Sequence, residues 1–145
     1  MKPSFRRMTR EDVPGIAELE KQIFRDAWPA ENFYSEIENK KISYPCVMEV
    51  QGEIVGYAVC WYFSGELHIG NFAVHPQHRN KGYGRLLLEH LLKHFPQHEV
   101  AFLEVRKSNQ AAINLYLKYN FRKLYVRKGY YTDGEDAYVM VRENN

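Results

Sequence analysis

Between Phe72 and Arg85 the chain reads FAVHPQHRNKGYGR: the end of a strand, a basic polar turn, and two glycines that open a helix. The helix runs by pattern from Gly82 to His94, with Leu86, Leu87, Leu91 and Phe95 apolar, and Pro96 stops it. Glu99 to Val105 then reads as another strand. A strand, a helix and a strand in close succession demand a right-handed crossover, with the two strands parallel. The turn constrains ligand as well as fold. A helix N-terminus has unpaired N–H groups and a partial positive charge, so it favours phosphate. Gly82 and Gly84 let an anion approach the backbone, and Arg79, Lys81 and Arg85 add charge around it. Taken alone, the same residues also suit a glycine-rich turn with solvated charges.

Two other phosphate motifs fail here. A Walker A loop needs G-x-x-x-x-G-K-[ST], which does not occur. A dinucleotide fingerprint needs G-x-G-x-x-G after the first strand of a βαβ unit. Gly82 and Gly84 fill its first two places and Glu104 lies near the acidic position, but Leu87 stands at the third glycine.

The elements around the turn follow from pattern. Residues 4–8 read as a first strand, and Thr9 can cap a helix with Glu11 and Asp12 in its first turn. Val13, Ile16, Leu19 and Ile23 form that helix's apolar face. Trp28-Pro29 breaks the pattern, and Ala30 to Glu38 follows as a second short helix. Pro45 to Val50, Ile54 to Phe63 and Glu66 to Val74 read as an antiparallel meander, turning at Gln51-Gly52-Glu53 and Ser64-Gly65. Beyond Val105, Asn109 to Tyr119 is helical, with Ala112, Ile113, Tyr116 and Leu117 on one face. Phe121 to Arg127 and Asp136 to Val141 are two last strands joined by residues 128–135. The order is β-α-α-β-β-β-α-β-α-β-β: an α/β (α+β) fold, a mixed and mostly antiparallel sheet of about seven strands with about four helices.

At 145 residues the chain has room for one hydrophobic core, so one domain over 1–145 is expected. Twenty Lys and Arg against 18 Asp and Glu give a net charge of +2, which argues for neither nucleic acid nor a membrane surface. The longest uncharged apolar stretch, Val55 to Phe63, falls far short of the roughly 20 residues that span a bilayer. The opening MKPSFRRMTRED holds no apolar signal region, so a cytoplasmic protein is expected. Cys46 and Cys60 lie in strand-like stretches and read as two buried thiols. Among the six histidines, His90 and His94 share a helix face as H-L-L-K-H, without the Glu of a zinc-protease helix. No metal is expected. No G-x-S-x-G elbow supports a hydrolase nucleophile.

The turn does not stand alone. R-x-x-G-x-G entering a helix, LEVRKSNQAAINLYLKYNF at 103–121 and KGYYTDGEDAYVM at 128–140 together resemble the GCN5-related N-acetyltransferase (GNAT) superfamily. Within it the chain resembles the RimI-type protein N-terminal alanine acetyltransferases. It is also similar to the catalytic subunits of archaeal and eukaryotic N-terminal acetyltransferases. The resemblance covers essentially the whole chain and implies the GNAT fold.

It also implies roles. Arg79, Asn80, Lys81, Gly82, Tyr83, Gly84 and Arg85 would bind the pyrophosphate of acetyl-CoA, the co-substrate. The backbone of Phe72, Ala73 and Val74 would pair with its pantetheine arm like an added strand. Asn109 would contact it from the next helix. Glu104 would be the general base and Tyr116 the general acid. The acceptor groove would lie between residues 25–29 and 129–133, walled by Trp28, Tyr130 and Tyr131. The acceptor would be a protein N-terminus, with ribosomal protein S18 as a candidate, and the enzyme a monomer. The chemistry suits these residue types. An attacking amine must lose a proton, and a leaving thiolate must gain one or be stabilised. A desolvated carboxylate at a strand end can have its pKa raised toward neutrality. A phenol, with its unperturbed pKa near 10, stays protonated at neutral pH. A backbone N–H near Val74 would stabilise the oxyanion. Arg106, two positions beyond Glu104, would face the same side, and a close contact would hold the carboxylate's pKa down. A lysine or small-amine acceptor, and a non-catalytic acyl-CoA-binding subunit, are the alternatives.

Overall fold

The computed structural model describes residues 2–145. Seven strands form one sheet: β1 (Ser4–Arg7), β2 (Ser43–Val50), β3 (Glu53–Phe63), β4 (Glu66–Val74), β5 (Val100–Arg106), β6 (Arg122–Arg127) and β7 (Ala137–Glu143). Four α-helices accompany them: α1 (Val13–Ile23), α2 (Ala30–Glu38), α3 (Tyr83–His94) and α4 (Gln110–Lys118). The strand order across the sheet is β1-β2-β3-β4-β5-β7-β6. β4 and β5 are parallel, and every other neighbouring pair is antiparallel. The parallel pairing of the strands on either side of α3 is the one that the strand–helix–strand pattern requires.

The sheet is covered on both faces, and alternation along its central strands decides what goes where. Cys46, Met48, Ala58 and Cys60 point to one face, where Leu87, Leu88 and Leu91 of α3 and Ile113 and Tyr116 of α4 meet them. Val47, Tyr57 and Val59 point to the other, against Val13 and Ile16 of α1 and Phe33 and Ile37 of α2. Both cysteines are buried and free, as their strand setting implies.

Local departures from the pattern have physical causes. The first strand stops at Arg7, and Met8 just beyond it is 1% exposed. Thr9 does not open the helix directly. A single 3-10 turn, Arg10–Asp12, intervenes, and the Asp12 carboxylate accepts from Thr9 N–H at 2.8 Å. β2 begins two residues before Pro45. Proline lacks the N–H of an interior strand residue. Here the Pro45 carbonyl accepts from Met8 N–H at 2.9 Å, and the reciprocal bond that proline cannot donate falls just past the end of β1, where the ladder stops.

The β3–β4 ladder is interrupted near its middle. Val59 faces Asn71 and Cys60 faces Ile69, so Gly70 is an extra residue, a bulge. A Cβ at Gly70 would lie 2.0 Å from the Trp61 ring, so only glycine fits beneath it. Bulges bend the strand that carries them. The parallel β4–β5 pairing ends just there, at Ile69 and Leu103.

Candidate active site

Past Ile69 and Leu103 the two central strands part. β4 goes on pairing with β3 through Asn71 to Val74, and β5 goes on pairing with β7 through Glu104 to Arg106. The edges of β4 and β5 that face each other are left without strand partners. A cleft of about 1090 Å³ opens from this gap. Phe72, Ala73 and Val74 line it from β4, and Glu104 and Arg106 from β5.

One end of the cleft is the glycine turn. Arg79, Asn80, Gly82, Tyr83 and Gly84 line it, but Lys81 and Arg85 do not. Asn80 and Gly82 both take left-handed backbone, φ 64° and 80°. Asparagine and glycine are the residues that do so at least cost. The first internal bond of α3 runs from Leu86 N–H to the Gly82 carbonyl at 3.2 Å, so the N–H groups of Tyr83, Gly84 and Arg85 stand ahead of the ladder. Arg85 is turned along the helix to Glu89 at 3.2 Å, which in turn accepts from the Tyr119 hydroxyl. Asn109, the N-cap of α4, also lines the cleft. Its Oδ1 accepts from Ala112 N–H at 3.2 Å, which leaves the Nδ2 group as its outward donor. His75 and His78 have partners of their own: Gln77 N–H donates to His75 Nδ1 at 3.1 Å, and His78 lies 3.3 Å from Glu53. Among the described residues no three His, Cys, Asp or Glu side chains are grouped to hold a metal.

Glu104 and Tyr116 line the same cleft from different elements. Tyr116 is 5% exposed, with its ring edge-on to Phe72 at 6.0 Å between centroids. Burial, and then the neighbouring Tyr131, raise its pKa well above the ordinary phenol value, so it stands as a neutral phenol and not a phenolate. Glu104 is one-third exposed, and the cation beside it is Arg127 of β6 at 3.4 Å. The neighbouring cation is thus Arg127 and not Arg106. Arg106 does project from the same side of β5, but it reaches past the strand end to a denser set of carboxylates.

That set lies at the other end of the cleft. Arg106 meets Asp26 at 3.3 Å, Asp133 at 3.0 Å and Glu135 at 2.9 Å, and its guanidinium stacks 4.0 Å from the Tyr131 ring centre. Thr132 donates to Asp26 through its N–H at 3.2 Å and through its hydroxyl. Arg25 meets Asp133 at 3.3 Å. The α1–α2 and β6–β7 loops are thus joined directly. The Glu135 N–H and Arg106 hold the Asp133 carboxyl below its usual range. Tyr131 is pushed up to about 12, chiefly by burial. Tyr130 packs edge-on to Tyr131 at 5.0 Å, with Arg127 4.6 Å over its ring. Trp28 does two things: it packs on Phe33 in the core and it lines the cleft.

Beneath Trp28 lies a residue that the apolar pattern passes over. Glu20 is 1% exposed and accepts four hydrogen bonds: from Tyr57 Oη at 2.7 Å, Trp28 N–H at 3.0 Å, and Asn71 Nδ2 at 3.1 and 3.2 Å to its two oxygens. Its spacing was the available signal, four residues after Ile16 and seven after Val13.

The family model described as acetyltransferase (GNAT) family matches residues 13–121. An N-alpha-acetyltransferase from Sulfurisphaera tokodaii is 35% identical over 144 residues, covering 89% of this chain and 86% of the relative. A ribosomal protein bS18 alanine N-acetyltransferase from Escherichia coli is 34% identical over 134 residues, covering 89% of each. The crystal structure of the ribosomal-protein-S18-alanine N-acetyltransferase from Escherichia coli is similar with a TM-score of 0.89 at 29% identity, covering 99% of this chain and 94% of that one.

Proposed function

The chain belongs to the GNAT family of N-acetyltransferases, and from that premise we propose that it moves the acetyl group of acetyl-CoA onto the free α-amine of a protein N-terminus. The N-terminal alanine of ribosomal protein S18 is the leading acceptor, since the Escherichia coli relative, similar in both sequence and structure, is named for it. The observation that carries the reading is one cleft, opened by the parting of β4 and β5, that holds an anion-ready turn, a carboxylate, a neutral phenol and a tyrosine-walled slot.

The unpaired edge of β4 from Gly70 to Val74 suits the pantetheine arm, which carries amide groups that bond like a strand. The N–H groups of Tyr83, Gly84 and Arg85 suit the pyrophosphate, with Arg79, Asn80, Lys81 and Gly82 around it. Asn109 offers its Nδ2 donor to the same co-substrate. Bound acetyl-CoA supplies a thioester whose carbonyl carbon forms a C–N bond to the amine as its C–S bond breaks. Glu104, directly or through one water, takes the proton that the attacking amine must lose. A β4 N–H near Val74 meets the negative charge that develops on the carbonyl oxygen. Tyr116 gives its hydroxyl proton to the departing sulfur. Trp28, Tyr130 and Tyr131 guide an extended chain end to that point. One domain acting as a monomer suffices, since every group named lies on this chain.

Thiol release from acetyl-CoA, measured with a panel of N-terminal peptides, lysine peptides and small amines, tests the reading. Turnover is expected with α-amines, strongest with an S18-like alanine start. Tyr116→Phe and Glu104→Gln should each lower kcat by roughly a hundredfold. Signal confined to ε-amines or small amines would sink the N-terminal assignment, and none with any amine would favour a non-catalytic acyl-CoA-binding subunit. Glu104→Gln at full rate between about pH 6 and pH 9 would remove Glu104 as the base.

A further inference from the structure

The last residue of β5 bridges two loops that are otherwise far apart in sequence. Arg106 is 20% exposed at its side chain and lies between Asp26 of the α1–α2 loop and Asp133 and Glu135 of the β6–β7 loop, at 3.3, 3.0 and 2.9 Å. One planar guanidinium with five N–H donors can serve three carboxylates, which an ammonium on a flexible stem cannot do in fixed geometry. Its flat face is also used, over Tyr131 at 4.0 Å. Thr132 adds the direct loop-to-loop bonds to Asp26. These same loops border the acceptor end of the cleft.

We propose that Arg106 is a positioning residue that staples the α1–α2 loop to the β6–β7 loop across the acceptor entrance, and that the closed entrance sets the preference for a chain end over an internal lysine. The selectivity part rests on the proposed N-terminal acetylation; the staple itself does not. A chain terminus can thread an entrance bridged from both sides. An internal lysine brings backbone in two directions, and the joined loops obstruct one of them. Arg106 acts through Tyr131 and the loops, and takes no part in proton transfer.

Removing the staple should loosen both loops together, since each is held to the other through it. Arg106→Met keeps a long apolar stem and deletes the donors. Backbone hydrogen exchange of the full-length protein should then speed up across residues 25–29 and across 129–135, while β5 itself stays protected. KM for an N-terminal peptide should rise on the order of tenfold with KM for acetyl-CoA unchanged, and turnover of a lysine peptide relative to the N-terminal peptide should increase. Arg106→Lys should restore only part of this. Thr132→Val removes the hydroxyl bond to Asp26, leaves the backbone N–H bond and Arg106 in place, and should move exchange and selectivity the same way by less, so an unstable Arg106 variant does not stop the test. Exchange unchanged in either loop overturns the staple. Both loops loosened with α-amine selectivity intact overturns its role as a gate. A wild-type enzyme that ignores N-terminal peptides overturns the functional reading and the selectivity with it, and shows before any variant is compared, while the exchange experiment still tests the staple.

Discussion

A charge sealed into an interior must have every lone pair occupied, or it destabilises the fold. Glu20 meets that condition with donors from three different places: the β3 tyrosine, the β4 asparagine and the backbone of Trp28. The carboxylate thus ties the α1–α2 loop to the sheet under the cleft. Glu20→Ala would leave all three donors without an acceptor, and the expected loss is about 3 kcal/mol in urea unfolding. Glu20→Gln, which keeps one acceptor oxygen, should cost less. Charged residues are seldom fully buried, so composition assigns Glu20 to solvent although its helical spacing assigns it to the core. Glu104 and Tyr116 differ in this respect. Their residue types and positions were legible from the motifs around them. The identity of the cation beside Glu104 was not, because Arg127 arrives from a strand 23 residues further along.

Among the elements, β4 does the most to make a site out of a sheet. It pairs with β5 for four residues, bulges at Gly70 and then runs on beside β3 alone. Glycine there is required by the Trp61 ring that covers it. Gly70→Val should push Trp61 out of place and break its 2.7 Å bond to Glu36 of α2, at a cost of roughly 2–3 kcal/mol. A lowered Tm with a red-shifted tryptophan emission would show it; an unchanged emission would mean that the strand has another way to relieve the clash. The meander, the crossover and the helix starting at the glycine turn were all readable, since period, turn residues and proline positions act locally. The bulge was not, because one extra residue in a nine-residue apolar strand leaves no mark on its alternation until the partner strand is known.

At the scale of the whole molecule, one sheet carries two helical layers, and its rims matter for stability. On the α3 side, Phe5 of β1 stacks on His90 at 4.1 Å, Tyr44 of β2 stacks on His94 at 4.0 Å, and the Tyr44 hydroxyl lies 2.8 Å from His90 Nε2. Burial, then His94, lowers the His90 pKa from 6.5 to about 4, and burial lowers that of His94. Between those values the unfolded chain binds more protons than the folded one, so the sign is fixed: stability falls as pH drops from about 6.5 toward 4. Denaturant midpoints should therefore fall over that interval, and fall less in His90→Gln. An identical pH dependence in that variant would remove His90 as a cause. The sequence by itself determined the order of elements, the parallel pair and the glycine turn, and resemblance named Glu104 and Tyr116, which line one cleft. These follow from contacts between residues near one another in the chain, or from motifs that keep their spacing. Only the tertiary structure decided that β4 and β5 part after Ile69 and Leu103, that Glu20 is buried and fully bonded, and that Arg106 turns from Glu104 to the loops. Each of those depends on groups brought together from distant positions, and a side chain's partner is chosen by geometry and charge only once the fold has assembled the candidates.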